Sequence, residues 1–441
     1  MALRWSVYTE LKCINAMNII HRVYIDGFWG DRTMDIKLFP DVNFFIGVNG
    51  SGKTTLINII AAAISADFST LDKLPFKLIR IEFVEVGGKK RPQLEVEKKR
   101  MEKSPYTSIV YRIKEKATDK YREYSLDEFE EERMLRRGYL PNNYRMYMRQ
   151  MNRGVVANLQ EILNVTWLSI HRGASRNSGD EKNFESSVDQ KLDELGRGLG
   201  KYFSVLFSKV SVESTKFQQN IVSSMLMETR QKNIVSLIKA IELEKEKDSL
   251  FEIFNKFNVP LSSVEDRFDK YFEAFDNAKK KLVNKESIGL SEALVLLNII
   301  KSHKAVEEWN EFLEKQDMIN KPKQVFVDVL NGLFQRKKIR VNDKSEIEAI
   351  TDSGKVLPIG ELSSGEKQLI IILGEALLQQ STPWIYIADE PELSLHIKWQ
   401  ENLIENLRKL NPYAQIICAT HSPDVVGMFS DKVFDMEDQI K

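Results

Sequence analysis

This 441-residue sequence predicts an α/β fold with a mixed central sheet, an antiparallel β lobe near its N-terminus and a large, mainly helical insertion. Three observations carry that prediction. A glycine-rich turn at residues 47–52 stands between the β-type run Val42–Ile46 and the apolar, helix-like run Leu56–Ala63. Helix and strand patterns alternate again from residue 338 to 437. Between those two regions, residues 180–335 follow an amphipathic helical pattern, so the outer parts of the chain build one fold and the middle interrupts it.

Arg22–Gly27 and Thr33–Phe39 alternate in β fashion ahead of Val42–Ile46. Leu78–Glu85, Gln93–Val96 and Thr107–Ile113 add short β-type runs, which read as the appended β lobe. Residues 126–164 are charged and helical in pattern, and Val165–Ile170 is a short strand candidate. In the insertion, Phe203–Val212, Ser236–Leu243 and Ala293–Ile300 are amphipathic, with breaks at Pro260 and near Gly289. No heptad pattern is sustained there, which argues against a long coiled-coil arm. Strand signals return at Lys338–Val341 and Ile347–Ile350. The expected organisation is an N-terminal half-fold over 1–175, the helical insertion over 176–335 and a C-terminal half-fold over 336–441.

Bulk properties exclude several classes. Hydrophobic residues make up 42% and charged residues 29%, and 64 basic side chains balance 64 acidic ones. Zero formal charge argues against coating nucleic acid by charge alone, while leaving room for a local basic patch. Cys13 and Cys418 cannot build a disulfide framework or a zinc site at that spacing. The N-terminal residues lack a signal-peptide core, and no run approaches the ~18 apolar residues of a membrane span. A cytoplasmic protein is the expectation.

Residues 47–54, Gly-Val-Asn-Gly-Ser-Gly-Lys-Thr, fit G-x-x-x-x-G-K-[ST] in the strand-to-helix setting that this motif needs. Backbone N–H groups of Asn49, Gly50, Ser51, Gly52 and the following Lys53, Thr54 and Thr55 are candidates to wrap phosphates, helped by the positive end of the helix. Lys53 would reach the β- and γ-phosphates of ATP, and the Thr54 hydroxyl would hold Mg²⁺. Far along the chain, the apolar run Trp384–Ala388 ends in Asp389 and Glu390. At the carboxyl end of a buried parallel strand, Asp389 can help coordinate Mg²⁺, and Glu390 is placed as general base for the attacking water.

Residues 362–368, Leu-Ser-Ser-Gly-Glu-Lys-Gln, lead into the apolar run Leu369–Leu378. Taken alone, this is also an ordinary capping box, Ser followed three residues later by Glu. Before a Walker-B-like strand it resembles the LSGGQ signature of the ABC superfamily, with Ser364 in place of the first glycine. The resemblance implies an ABC-type P-loop NTPase head in which Ser363, Ser364, Gly365 and Glu366 bind the nucleotide of a second copy, so that ATP joins two heads. It further implies a D-loop in the Pro391–His396 segment and a switch histidine at His421, within Thr-His-Ser-Pro.

These motifs look less like a transporter motor than like the SMC/RecF/OLD-related soluble ABC ATPases. Within that group they are similar to the ATPase subunits of phage-defence systems such as PARIS and Septu. The resemblance covers residues 22–60 and 338–437 well and the middle hardly at all. It departs at the Q-loop: His171-Arg172 follows the Val165–Ile170 strand, and Gln160 precedes it, so Arg172 at the nucleotide and a plain structural residue stand as alternatives. The base-stacking aromatic is equally open between Phe28 and Trp29.

Related OLD proteins carry a Toprim nuclease after the ATPase, but no Asp-x-Asp pair occurs here, and His21, His171 and His303 are isolated. Any nuclease is therefore expected in a separate partner of Toprim or HNH type. The basic, tyrosine-interleaved segment Arg133–Arg153 is a candidate nucleic-acid contact; the acidic run Asp127–Glu132 beside it offers intramolecular pairing instead. Two functions follow from the resemblance: an ATP-gated sensor and scaffold controlling an effector in antiviral defence, or a RecF/SMC-like DNA-repair or maintenance ATPase.

Overall fold

A computed structural model of the chain describes residues 18–100, 107–116, 118–125, 155–156, 158–159, 162–168, 187–226, 234–259 and 265–441. Cys13, Gln160, Arg172 and the Arg133–Arg153 segment lie outside the described residues. The chain divides into two compact units, one comprising residues up to Gly200 together with Val325–Lys441, the other Lys201–Gln324.

The strands are β1 (Asn18–Phe28), β2 (Arg32–Lys37), β3 (Val42–Ile46), β4 (Leu78–Glu85), β5 (Gln93–Arg100), β6 (Thr107–Lys114), β7 (Arg122–Ser125), β8 (Val165–Leu168), β9 (Lys337–Val341), β10 (Ile347–Thr351), β11 (Val356–Pro358), β12 (Trp384–Asp389), β13 (Ala414–Ala419) and β14 (Val433–Asp435). The helices that matter below are α1 (Lys53–Ser65), α2 (Phe68–Lys73), α3 (Ser187–Leu226), α4 (Ile234–Ala240), α5 (Leu243–Lys256), α6 (Glu265–Val283), α7 (Leu290–Leu333) and α8 (Ser364–Leu378).

In the first unit a five-stranded sheet runs in the order β14-β3-β13-β12-β8, with every neighbouring pair parallel. Parallel strands covered on both faces need unbroken apolar sequence, which is why β13 is buried at every position and β12 reads Trp-Ile-Tyr-Ile-Ala. A separate six-stranded antiparallel sheet has the order β2-β1-β4-β5-β6-β7. There the pattern alternates: Ile79, Ile81 and Phe83 of β4 are buried, while the intervening Arg80 pairs with Glu95 at 2.7 Å. A third, antiparallel sheet has the order β11-β10-β9, and the five- and six-stranded sheets belong to one α/β fold. Gln415 of β13 joins them from a fully buried position. Its amide accepts from Ile20 N–H at 2.8 Å and donates to the Ile20 and Phe39 carbonyls at 2.7 and 2.8 Å.

The helical unit is built on α3 and α7, of 40 and 44 residues, the latter continuing through Pro322. Glu213 lies near Lys315, Phe217 packs on Trp309 and Phe312, and Asn220 donates to Glu308, so the two helices run antiparallel. Their contact mixes aromatic rings with charged and polar side chains, which is why no run of apolar heptads marks such long helices in the sequence. α4, α5 and α6 complete a core containing Ile238, Ile253, Phe272, Phe275 and Ile299.

Within this unit Glu246 is only 3% exposed and meets His303 Nδ1 at 2.8 Å, with Glu307 at 3.7 Å from Nε2. The hydrogen bond that His303 donates to the Glu246 carboxylate raises the His303 pKa above 6.5, against a smaller opposing effect of burial. A histidine whose folded pKa is raised contributes stability that is fully present below the unfolded value and disappears as pH rises through the folded one. Thermal unfolding of the wild-type chain is therefore expected at lower temperature as pH climbs from 6.5 through the raised value. A His303→Gln protein, measured by calorimetry across the same range, should lose that component; an identical pH slope in both proteins would remove this role.

Candidate active site

Strand register brings the chemistry together. Ala419 of β13 stands beside Phe45 of β3 on one side and Asp389 of β12 on the other. The carboxyl ends of three adjacent parallel strands therefore feed three loops: the glycine-rich turn after Ile46, the acidic segment from Asp389, and Thr420–Ser422. Such a row of strand ends is where open α/β sheets bind ligands.

The first loop winds into α1 through Gly52, whose φ of 96° belongs to the left-handed region. A Cβ there would also lie 2.9 Å from the Phe28 ring and 3.0 Å from the Trp29 ring. Lys53 is 4% exposed, and its ammonium donates back to the Gly47 and Val48 carbonyls at 2.8 and 3.1 Å. Burial pushes its pKa down while Glu390 and Asp389 pull it upward. Asn49, Gly50 and Thr54 are exposed, and the buried Ser51 hydroxyl has no hydrogen-bond partner among the described residues. A glycine-rich turn at a helix N-terminus, a lysine and an unsatisfied hydroxyl form a set that fits a phosphate chain.

Thr54 Oγ1 donates to Asp389 Oδ1 at 3.1 Å, so the two side chains expected at a magnesium ion are already neighbours. Two oxygen donors of this kind fit a hard divalent cation. Glu390 has φ 49°, unusual for a residue with a side chain, and its N–H donates to the Ala419 carbonyl at 2.8 Å. This turn separates the Glu390 side chain from that of Asp389. It leaves Glu390 Oε1 3.6 Å from His421 Nε2, longer than a hydrogen bond.

Ser363 is the N-cap of α8 and forms the full capping box with Glu366. Ser363 N–H and Oγ both donate to Glu366 Oε2, at 2.9 and 2.8 Å, and Lys337 sits 2.9 Å from the same carboxylate. Burial pushes the Glu366 pKa up, but the Lys337 ammonium and the Ser363 donors outweigh it and hold the carboxyl below its usual range. The cap is made, and Ser363 and Ser364 remain exposed at the N-terminus of α8. Gly365 has a separate steric reason to be glycine, since a Cβ would meet the Ser394 carbonyl oxygen at 2.5 Å. Gln368 also donates to the Pro391 carbonyl at 3.2 Å, so α8 carries the 390–396 loop directly.

The structure thus gathers Lys53, Thr54, Asp389, Glu390 and His421 at one end of the parallel sheet, while Ser363–Glu366 caps a neighbouring helix. Of the two aromatic candidates, Phe28 is fully buried and Trp29 is 39% exposed, with Arg32 near its ring. The sequence analysis left two polar residues unassigned, Glu392 and Gln400, both of which tie the acidic loop to the histidine turn. Their signal was faint: one charge inside a loop already ascribed to other chemistry.

Among the described residues no group of three His, Cys, Asp or Glu side chains could hold a metal ion, and no helix is long and apolar enough to cross a membrane. Among curated proteins the chain is 26% identical over 193 residues to the retron Vc95 probable ATPase of Vibrio cholerae, covering 39% of this chain and 36% of that protein. It is 32% identical over 94 residues to the retron Ec83 probable ATPase of Escherichia coli, covering 19% and 17%. It is 29% identical over 141 residues to the DNA double-strand break repair Rad50 ATPase of Sulfurisphaera tokodaii, covering 30% and 16%. The matched segments therefore span little more than a third of the first relative's length and under a fifth of the other two.

Among solved structures, the Smc head domain of Pyrococcus furiosus bound to the C-terminal domain of ScpA aligns with 93% of this chain and 91% of its own, at 14% identity and a TM-score of 0.35. The SMC head domain of Thermotoga maritima covers 92% and 90% at 12% identity and 0.33. Those likenesses are too remote to add to the strand order and register above. A match to the AAA ATPase domain family runs from residue 17 to 426, nearly the whole chain. With its phosphate loop, acidic strand end and histidine turn on adjacent parallel strands, the chain belongs to the AAA ATPase domain family.

Proposed function

We propose that this chain hydrolyses ATP as a pair of heads and uses the ATP cycle to hold and release a separate effector, a Toprim- or HNH-type nuclease, in antiviral defence. The observation that carries the reading is the convergence of Lys53, the Thr54–Asp389 pair and the Glu390–His421 pair at three adjacent strand ends. In this reading residues 49–55 cradle the phosphates and Lys53 neutralises them. Trp29, the more exposed of the two aromatic candidates, offers its ring to the base. Thr54 and Asp389 would hold Mg²⁺, which supplies charge neutralisation at the phosphates. Glu390 polarises the attacking water, and His421 senses the terminal phosphate.

Ser363, Ser364, Gly365 and Glu366 complete the site of the second copy. The exposed, capped N-terminus of α8 supports this, because a helix N-terminus attracts an anion without needing a free side chain. Similarity to two retron ATPases supports the defence setting. Similarity to a Rad50 ATPase favours a second reading, a DNA-repair or maintenance ATPase of RecF or SMC kind.

Mixing two inactive proteins tests the shared sites. A Lys53→Ala chain keeps its α8 end, and a Ser363→Arg chain keeps its phosphate loop, so each mixed pair should regain one working site. Phosphate release above that of either variant alone is the expected result; a mixture as inactive as its parts would overturn the pairing. The setting is decided by copurification from the native operon. An effector released on hydrolysis supports the first reading, whereas strong stimulation by DNA without a partner supports the second.

A further inference from the structure

The acidic loop and the histidine turn leave different strands, yet two side chains fasten them together. Glu392 is 8% exposed, and its Oε1 accepts from Thr420 Oγ1 at 2.7 Å and from His421 N–H at 2.9 Å. Gln400 accepts from Ser422 Oγ at 2.7 Å and donates to the Leu395 carbonyl at 2.9 Å, closing the same junction from the other side. The second oxygen, Glu392 Oε2, is buried without a hydrogen-bond partner among the described residues. A carboxylate kept inside the protein with one oxygen unpaired is costly to the fold, so folding alone does not account for it.

We propose that Glu392 is a positioning residue for hydrolysis: by gripping the Thr420–His421 backbone turn it sets the His421 imidazole against Glu390, and it ties the 390–396 loop to that turn so that they shift as one piece. The inference rests on the reading of Glu390 and His421 given above. Because the hydrogen bonds of the Glu392 carboxylate run to Thr420 and His421 and so to the histidine turn, turnover should depend on it and nucleotide binding should not.

The test compares Glu392→Ala, Glu392→Gln, His421→Ala and the Glu392→Ala/His421→Ala double variant in the full chain, by kcat, KM, equilibrium ATP binding and thermal unfolding. Glu392→Ala is expected to lower kcat by about 10- to 100-fold, the scale of a misplaced reacting group, with KM and binding at the wild-type level. Glu392→Gln, which keeps an oxygen acceptor for the turn, should recover most of that rate. The double variant should be no slower than His421→Ala alone, because the two residues act as a unit. Unchanged kcat in Glu392→Ala, losses that multiply in the double variant, or a fall in Tm accompanied by a rise in KM would each overturn the inference. A wild-type chain that does not hydrolyse ATP would overturn the ATPase reading and this inference with it, so the wild-type rate tells the two failures apart.

Discussion

A Glu390→Gln protein is expected to bind ATP as the wild type does while losing hydrolysis by about 10²–10⁴-fold, the usual contribution of a general base. The substitution keeps shape and removes only basicity. Its backbone turn, held by the Glu390 N–H to Ala419 carbonyl bond, does not depend on the side chain. The positive φ of Glu390 also matters here. A side-chain-bearing residue held in that region marks a place where the fold accepts local strain, and such strain persists where it aims a functional group. Stopped-flow phosphate release and equilibrium binding separate the two effects. Near-normal turnover in the variant would remove Glu390 from the chemistry.

Lys53→Ala carries the second large expectation. The ammonium lies buried among the Gly47 and Val48 carbonyls, with Asp389 and Glu390 as its charge partners. Phosphates entering the loop would replace those carbonyls as acceptors. Hydrogen bonds to charged groups contribute about 1.5–3 kcal/mol each, so one lost contact should weaken ATP binding by roughly 10- to 100-fold. Titration calorimetry of folded variant protein checks this, and an unchanged dissociation constant would contradict the cradle.

Much of this site was legible because its signals are local. Val42–Ile46, the turn at 47–52 and α1 declare themselves through period and glycine placement, and Trp384–Ala388 ends in its two carboxylates as a buried parallel strand should. Ser363 was ambiguous between cap and anion site for a physical reason: both roles call for the same hydroxyl at a helix N-terminus, and the cap is the one that is formed. Other features depend on pairing at a distance. Glu392 gains meaning only when Thr420 and His421 arrive beside it, and Gln415 only when Ile20 and Phe39 do. The 40- and 44-residue helices escaped notice because their facing residues mix aromatic rings with polar and charged groups and one of the helices passes through a proline.

The pairing of β3 with β13 has a consequence for biogenesis. Phe44 and Phe45 emerge from the ribosome early, but the strand that flanks them carries residues 414–419. At elongation rates of ~5–20 residues per second, those rings wait for roughly 20–70 s without their neighbour. During that interval the phosphate-loop segment is a sticky nascent strand, while the helical unit, closed by nearer contacts, has the shorter wait. Synthesis order therefore favours a helical unit that matures before the parallel sheet closes, and β3 needs shielding until β13 has been made.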